Sequence, residues 1–215
     1  MNQSKNIKKL PRAFYLNDDV VSIARLLLGK YLFTKSSDGI VTGGIITETE
    51  AYAGITDRAS HAWNGRRTAR TEIMYGKGGT AYVYLCYGMH ALFNVVTAPE
   101  GTPHAVLIRG IYPMVGVDEI LKRRKVKQPL HKIAVGPGTV ASALDIQVSD
   151  TGIDLLGSRI WLADAGIEIK KKDILASPRI GVDYAGEDAK LQWNFKVGKN
   201  SIPNNLCGIN VDLNL

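Results

Sequence analysis

A chain of 215 residues with 45% hydrophobic and 22% charged residues can bury one sizeable core, and its single cysteine pair, Cys86 and Cys207, excludes both a disulfide framework and a cysteine-based zinc site. The net charge of +7 suits a polyanionic partner such as nucleic acid without demanding one. No apolar run approaches the roughly 18 residues of a spanning helix, and the basic N-terminus lacks the apolar stretch of a secretory signal, so an intracellular protein with no membrane partner is expected.

In chain order, residues 1–11 read as a polar arm and residues 12–215 as one domain. Asp18 and Asp19 offer an N-cap to VVSIARLLLGK, whose apolar residues recur at helical spacing until Gly29. YLFTK, the turn SSDG and IVTGGIITETEAY read as a strand pair. On the second strand a period of two places Glu48, Glu50 and Tyr52 on one face and Thr47 and Thr49 on the other. Residues 54–79 have no clean period; they carry His61 and the cations Arg58, Arg66, Arg67, Arg70 and Lys77 among several glycines. This is the pattern of a functional loop, with one helical turn expected around Asp57 to His61.

Thr80 to Thr97 reads as a β-hairpin. Tyr82 and Tyr84 alternate with Val83 and Leu85, Tyr87 stands at the tip beside Gly88, and Asn94 interrupts an apolar return strand. HAVLIRGIYP forms a further strand that sets Arg109 among Leu107, Ile108 and Ile111. MVGVDEILKRRKVK reads as a helix, and GPGTVASALDI as a Gly-Pro-Gly turn feeding another. RIWLAD, a segment near KDILASPRIGVDYAG, and LQWNFKVG are the remaining strands. With no internal repeat and no linker, the expected class is a single α+β domain.

Several of these residues can carry chemistry, and each has a plainer reading. Glu50 could hold and polarise a water as a general base; a salt-bridged strand glutamate is the commoner case, and Glu48 is assigned to a structural ion pair. Tyr52, Tyr84 and His61 could form a box for a flat ligand such as an extruded base, or simply pack, with Tyr82 as core support. Tyr87 could wedge into a base stack or lie back on its own domain. Asn94 could discriminate a ligand edge or tie two strands together. Arg109, if buried, needs an anion from its own chain or from a substrate phosphate. The four histidines show no metal-ligand spacing, the glycine-rich stretches lack the phosphate-loop pattern, and KRRKVK reads as a solvated helix face. No cofactor and no metal are expected.

Taken in order, ARLLLGKYL, ITETEAYAG, DRASH, RTARTEIMYGKGGTAYVYLCYGMHALFNVV, VLIRG and GPGTVASAL resemble the 3-methyladenine DNA glycosylases of the mammalian alkyladenine type, over about residues 24–198. The resemblance implies an α+β single domain with a curved, mainly antiparallel sheet flanked by helices, and a protruding β-hairpin. It implies a monomer acting on double-stranded DNA containing alkylated purines. Glu50 matches the base that activates water against C1′ of the deoxyribose, and Arg109 the arginine that holds that water and a phosphate. Tyr52, His61 and Tyr84 match the pocket around the flipped base, Asn94 the asparagine that excludes guanine, and Tyr87 the residue that fills the gap in the duplex. A backbone carbonyl of RIGVDYAG would complete the water site. Alkylation makes the purine a cationic leaving group, so no second catalytic carboxylate is needed, and with no lysine on the pocket strands no lyase step is expected. The chain departs from the family pattern in TARTEIMYGKGG, in the IYP that follows VLIRG, and in His90 with the following ALF, which bear on lesion preference and DNA affinity. A non-catalytic binder of modified or flipped bases and a hydrolase of free nucleosides are the alternatives.

Overall fold

The computed structural model describes residues 7–127 and 129–198. Its sheet runs β1 (Lys8–Lys9), β7 (Ile160–Asp164), β2 (Tyr31–Lys35), β3 (Val41–Tyr52), β6 (His104–Val115), β5 (His90–Thr97) and β4 (Ala81–Cys86), each strand antiparallel to its neighbours. β3 is the spine. One of its edges pairs with β6. The other is shared between β2, opposite residues 41–45, and β9 (Asn194–Val197), opposite Glu48 to Glu50; β8 (Ile174–Ser177) pairs with β9 in turn. The α+β class, the mainly antiparallel sheet and the β4–β5 hairpin are as the sequence implied. Part of the expected N-terminal arm lies outside the described residues; Lys8 and Lys9 pair with β7, and Leu10 is buried.

The β3–β6 ladder is irregular where it matters. Ile46 pairs with Ile111, Glu48 with Gly110 and Thr49 with Ile108, so Thr47 on one strand and Arg109 on the other have no ladder partner. Such bulges bend the strand, increase its twist and re-aim side chains. Gly44 allows the close approach of the two strands, because a Cβ there would collide with the Tyr112 carbonyl. The expected two faces of β3 survive: the buried Thr49 hydroxyl donates to the Ala24 carbonyl on the helix side, while Glu48 and Glu50 point the other way.

Helices cover one face: α1 (Arg12–Tyr15), α2 (Val20–Leu26), α3 (Val117–Arg124), α4 (Leu130–Ile133) and α5 (Pro137–Leu144). α2 begins where expected, with the Asp19 carboxylate accepting from the Ser22 amide at 2.9 Å. Its Ile23, with Leu27 just beyond it, joins Leu32, Ile46, Phe93 and Ile108 in the main core, each such side chain contributing about 1.5–3 kcal/mol by burial. A smaller cluster stacks Tyr31, Phe33 and Trp161 on the opposite face.

Two expected elements differ. Met114 and Val115 end β6 instead of opening a helix, because Gly116 turns the chain through φ 62° before α3. The basic run in α3 is partly structural: Arg123 bonds to Glu119 and Thr42, and Arg124 to the Ile133 carbonyl. In the 54–79 loop, short 3-10 turns occupy Gly54–Thr56, Trp63–Gly65 and Glu72–Tyr75. Between the first two, the Ser60 N–H closes one backbone turn onto the Asp57 carbonyl at 2.9 Å, where a helical turn was expected, and the Asp57 carboxylate adds bonds from the amides of Ala53 and Ala59.

Candidate active site

The bulge, β9 and the 178–182 segment converge on Glu50, whose residue is 0% exposed. Oε2 accepts from the Tyr52 hydroxyl at 2.8 Å and from Arg109 Nη1 at 3.3 Å. Oε1 accepts from the Ile180 backbone N–H at 2.8 Å and from Asn194 Nδ2 at 3.0 Å. Beside it, the buried Glu48 accepts from Arg109 Nε at 3.3 Å and Asn194 Nδ2 at 3.1 Å, and pairs with Lys196 Nζ at 3.2 Å. Glu48 is thus in the ion pair expected of it. Two buried carboxylates face two cations, which is what makes their burial tolerable. Burial by itself pushes the Glu48 carboxyl up, but the Asn194 amide, then Lys196 and Arg109, outweigh it and hold the group below the usual carboxylate range.

Tyr52 and Arg109 stand between Glu50 and a cavity of about 350 Å³ that His61, Tyr84, Asn94 and Leu107 also line. The volume is within the range of small-ligand sites. His61 meets Tyr84 edge to face, ring centroids 4.7 Å apart, and its Nδ1 lies 2.8 Å from the Tyr82 hydroxyl. Arg70 braces this wall. Its guanidinium lies 4.7 Å over the Tyr84 ring, its Nε is 3.2 Å from the Tyr82 hydroxyl, and its Nη2 is 2.9 Å from His61 Nε2. A guanidinium only donates, so His61 must accept, which requires a neutral imidazole. Burial, then the charges of Arg70 and Arg66, depress the His61 pKa from 6.5 to about 4. Replacing Arg70 with Ala removes part of that push. The His61 midpoint in an NMR titration is expected to rise into the window between about 4 and 6.5; a midpoint unmoved would exclude the coupling.

Asn94 is buried on the cavity wall, its Nδ2 donating at 3.2 Å to the carbonyls of Tyr82 and Leu92. It ties the hairpin and faces the cavity at once. Tyr87 is 88% exposed at the tip, with φ 49° followed by Gly88 at φ 71°. Positive φ at both residues is what a two-residue hairpin turn of this kind requires, and the Met89 N–H closes it onto the Cys86 carbonyl at 3.1 Å. Leu85 and Met89 are exposed beside it.

Four contributors were not legible in the sequence. Asn194 and Lys196 arrive on β9, and the Ile180 amide on the segment before it. Arg179 is fully buried, bonded to both oxygens of Asp57 at 2.5 and 2.8 Å and to the Ala51 carbonyl at 2.9 Å, with Tyr52 and Trp193 rings at 4.9 and 5.1 Å. It fastens the 54–62 loop to the segment that carries Ile180. An arginine in the apolar context of PRIGV needs an anion, as Arg109 does, but nothing local names Asp57. The pocket strands β3, β4, β5 and β6 carry no lysine within the cavity, yet β9 joins their ladder with Lys196, which is engaged by Glu48.

Residues 13–201 match a family model described as methylpurine-DNA glycosylase. A protein of Chlamydia felis is 47% identical over 187 residues, spanning 86% of this chain and 94% of its own. One from Desulfitobacterium hafniense is 41% identical over 197 residues, with 88% and 95% covered, and one from Bacillus cereus 42% over 198 residues, with 86% and 93% covered. All three are provisionally named 3-methyladenine DNA glycosylases. Matched by the family model along most of its length and by relatives nearly end to end, the chain belongs to the methylpurine-DNA glycosylase family.

Proposed function

We propose that the protein is a monofunctional DNA-repair glycosylase that takes an alkylated purine out of double-stranded DNA and hydrolyses its N-glycosidic bond, leaving an abasic site. The observation that carries this reading is the buried Glu50, held by Tyr52, Arg109, Asn194 and the Ile180 amide directly behind an aromatic-walled cavity. A base extruded into the cavity stacks against Tyr52 on one side and the His61–Tyr84 wall on the other. An N3- or N7-alkylated purine is cationic and leaves readily, so the chemistry needs only a positioned water and a carboxylate to take its proton. His61, being neutral, presents an uncharged ring to a cationic base, and its Nε2 reads the base edge when Arg70 yields that position. Asn94, fixed by its two carbonyl bonds, excludes guanine through its 2-amino group. A main-chain carbonyl of the 178–182 segment completes the water site, and Tyr87 fills the space left in the duplex.

One observation favours the alternative of a non-catalytic binder: four donors occupy Glu50, about as many as a carboxylate can accept. The Arg109 bond, at 3.3 Å, is the longest of the four. It is the one a water can share at least cost, and Arg109 retains Glu48 as a partner when it yields. Release of 3-methyladenine from methylated duplex DNA tests the reading, and its absence with folded protein would refute it. Tyr87→Ala is expected to weaken lesion-duplex binding by about 1–3 kcal/mol, about fivefold to 150-fold, because one stacking ring is lost. Equal binding in a titration with a single-lesion duplex would remove Tyr87 from the interface, as the nucleoside-hydrolase alternative requires.

A further inference from the structure

Asn194 has no role in the cleavage chemistry described so far, yet it lies directly across the ladder from Glu50 and is 2% exposed. Its single amide nitrogen is 3.0 Å from Glu50 Oε1 and 3.1 Å from Glu48 Oε1, so it bridges the two carboxylates. Carboxylate oxygens only accept, which dictates that the amide presents its NH2 group and not its oxygen. The neighbouring groups divide the pair between them. Arg109 reaches both carboxylates from β6, Lys196 touches Glu48 alone from β9, the Tyr52 hydroxyl bonds to Glu50 Oε2 alone, and the Ile180 N–H shares Glu50 Oε1 with Asn194 at 2.8 Å. The Arg179–Asp57 pair lies behind Tyr52 and is internally neutral. Two carboxylates this close repel one another; Arg109 spans them through Glu48 Oε1 and Glu50 Oε2, and among the described residues Asn194 is the donor that joins their two Oε1 atoms. Asn194 heads the groups that hold Glu48 in its charged form.

We propose that Asn194 is a positioning residue for hydrolysis: by joining the two Oε1 atoms it offsets the repulsion between Glu48 and Glu50 and keeps Glu50 Oε2 turned to Tyr52 and Arg109, at the cavity wall. The proposal rests on Glu50 as the base. Unlike Arg109 it supplies no charge, so its effect is directional. Because β9 pairs with β3 only across Glu48 to Glu50, the register of that short ladder sets the carboxylate geometry.

Asn194→Leu removes the donor at similar volume. In single-turnover release from methylated duplex, kcat is expected to fall about tenfold to a hundredfold, the weight of one hydrogen bond to a charged group, while the lesion-duplex dissociation constant stays near that of the wild type. In a carbon-13 NMR titration of the DNA-free protein, the Glu48 carboxyl is expected to titrate higher, because the first of the donors that hold it low is gone. Adding Glu48→Gln to Asn194→Leu removes the repulsion and should recover part of the lost release. An unchanged carboxyl titration overturns the proposal. So does a parallel loss of kcat and lesion binding with no movement in the titration, which is the mark of a merely structural residue. Should Asn194→Leu fail to fold, Asn194→Ser shortens the side chain out of reach of both carboxylates without adding a charge; a wild-type Glu48 titration there is equally fatal. Failure of the glycosylase reading looks different: no release by the wild type, with the NMR shift of the variant intact.

Discussion

Glu50→Gln is expected to lower base release by about three orders of magnitude while leaving lesion binding in place. Loss of the proton acceptor removes the activation of water, whereas the cavity walls, the hairpin tip and the basic surface remain. The substitution is not silent for the fold, because the new amide carries an NH2 group into a nest of donors. Turned toward Oε1, that group would face the Ile180 N–H and the Asn194 amide, neither of which can accept. Turned toward Oε2 it meets Tyr52, whose hydroxyl can rotate to accept, and Arg109, which can fall back on Glu48. The second orientation is the cheaper one, and a stability cost of about 1–3 kcal/mol is expected from the weakened Arg109 contact. Single-turnover release and a lesion-duplex binding titration, with thermal melting as a control, separate the effects. A variant within tenfold of the wild-type rate would exclude Glu50 as the base.

Arg179→Met is expected to destabilise the protein by about 3–5 kcal/mol, a fall in Tm on the order of 10–15 °C. Methionine fills the slot between Tyr52 and Trp193 but leaves the Asp57 carboxylate buried without its cation. Removing one partner of a fully desolvated pair costs far more than the pair itself contributes. The loss should be insensitive to added salt, since ions do not screen a contact with no exposed surface. It should also reach the chemistry. The same arginine secures the loop before His61 and the segment whose Ile180 amide holds Glu50, so at temperatures where the variant is folded, release should still be slower. Thermal melts at low and high salt check the first part. A loss below about 1 kcal/mol, the value typical of an exposed pair, would show that water enters the Asp57 site.

Much of the architecture was open to reading from the chain. The Asp19 cap, the alternation of Tyr82 and Tyr84, and the Tyr87-Gly88 tip are local signals: each depends on residues within a few positions, and each is where it was expected. The placement of Tyr52, His61, Tyr84, Asn94 and Arg109 around one cavity, with Glu50 bonded behind Tyr52 and Arg109, was implied only by the resemblance, since no period in the sequence brings them together. Where local reading went astray, glycine or a side-chain turn intervened. Gly116 ended β6 two residues later than the helix was expected to begin, and the Asp57 carboxylate reinforced a single backbone turn that does not continue as a helix.

The sequence by itself determined the strand periods, the hairpin and its Tyr87-Gly88 tip, the presence of two carboxylates on one face of β3, and membership of a family. The tertiary structure decided how those carboxylates are held. Arg109 reaches both because a bulge lifts it out of the ladder, and Asn194 meets Glu50 from 144 residues further along because β9 takes the edge that β2 leaves open. The reason is physical. A period of two states which residues share a face, and turn residues state where the chain reverses, but neither encodes the register between strands distant in sequence. That register is set by the whole sheet when it packs, and it selects which donors surround Glu50.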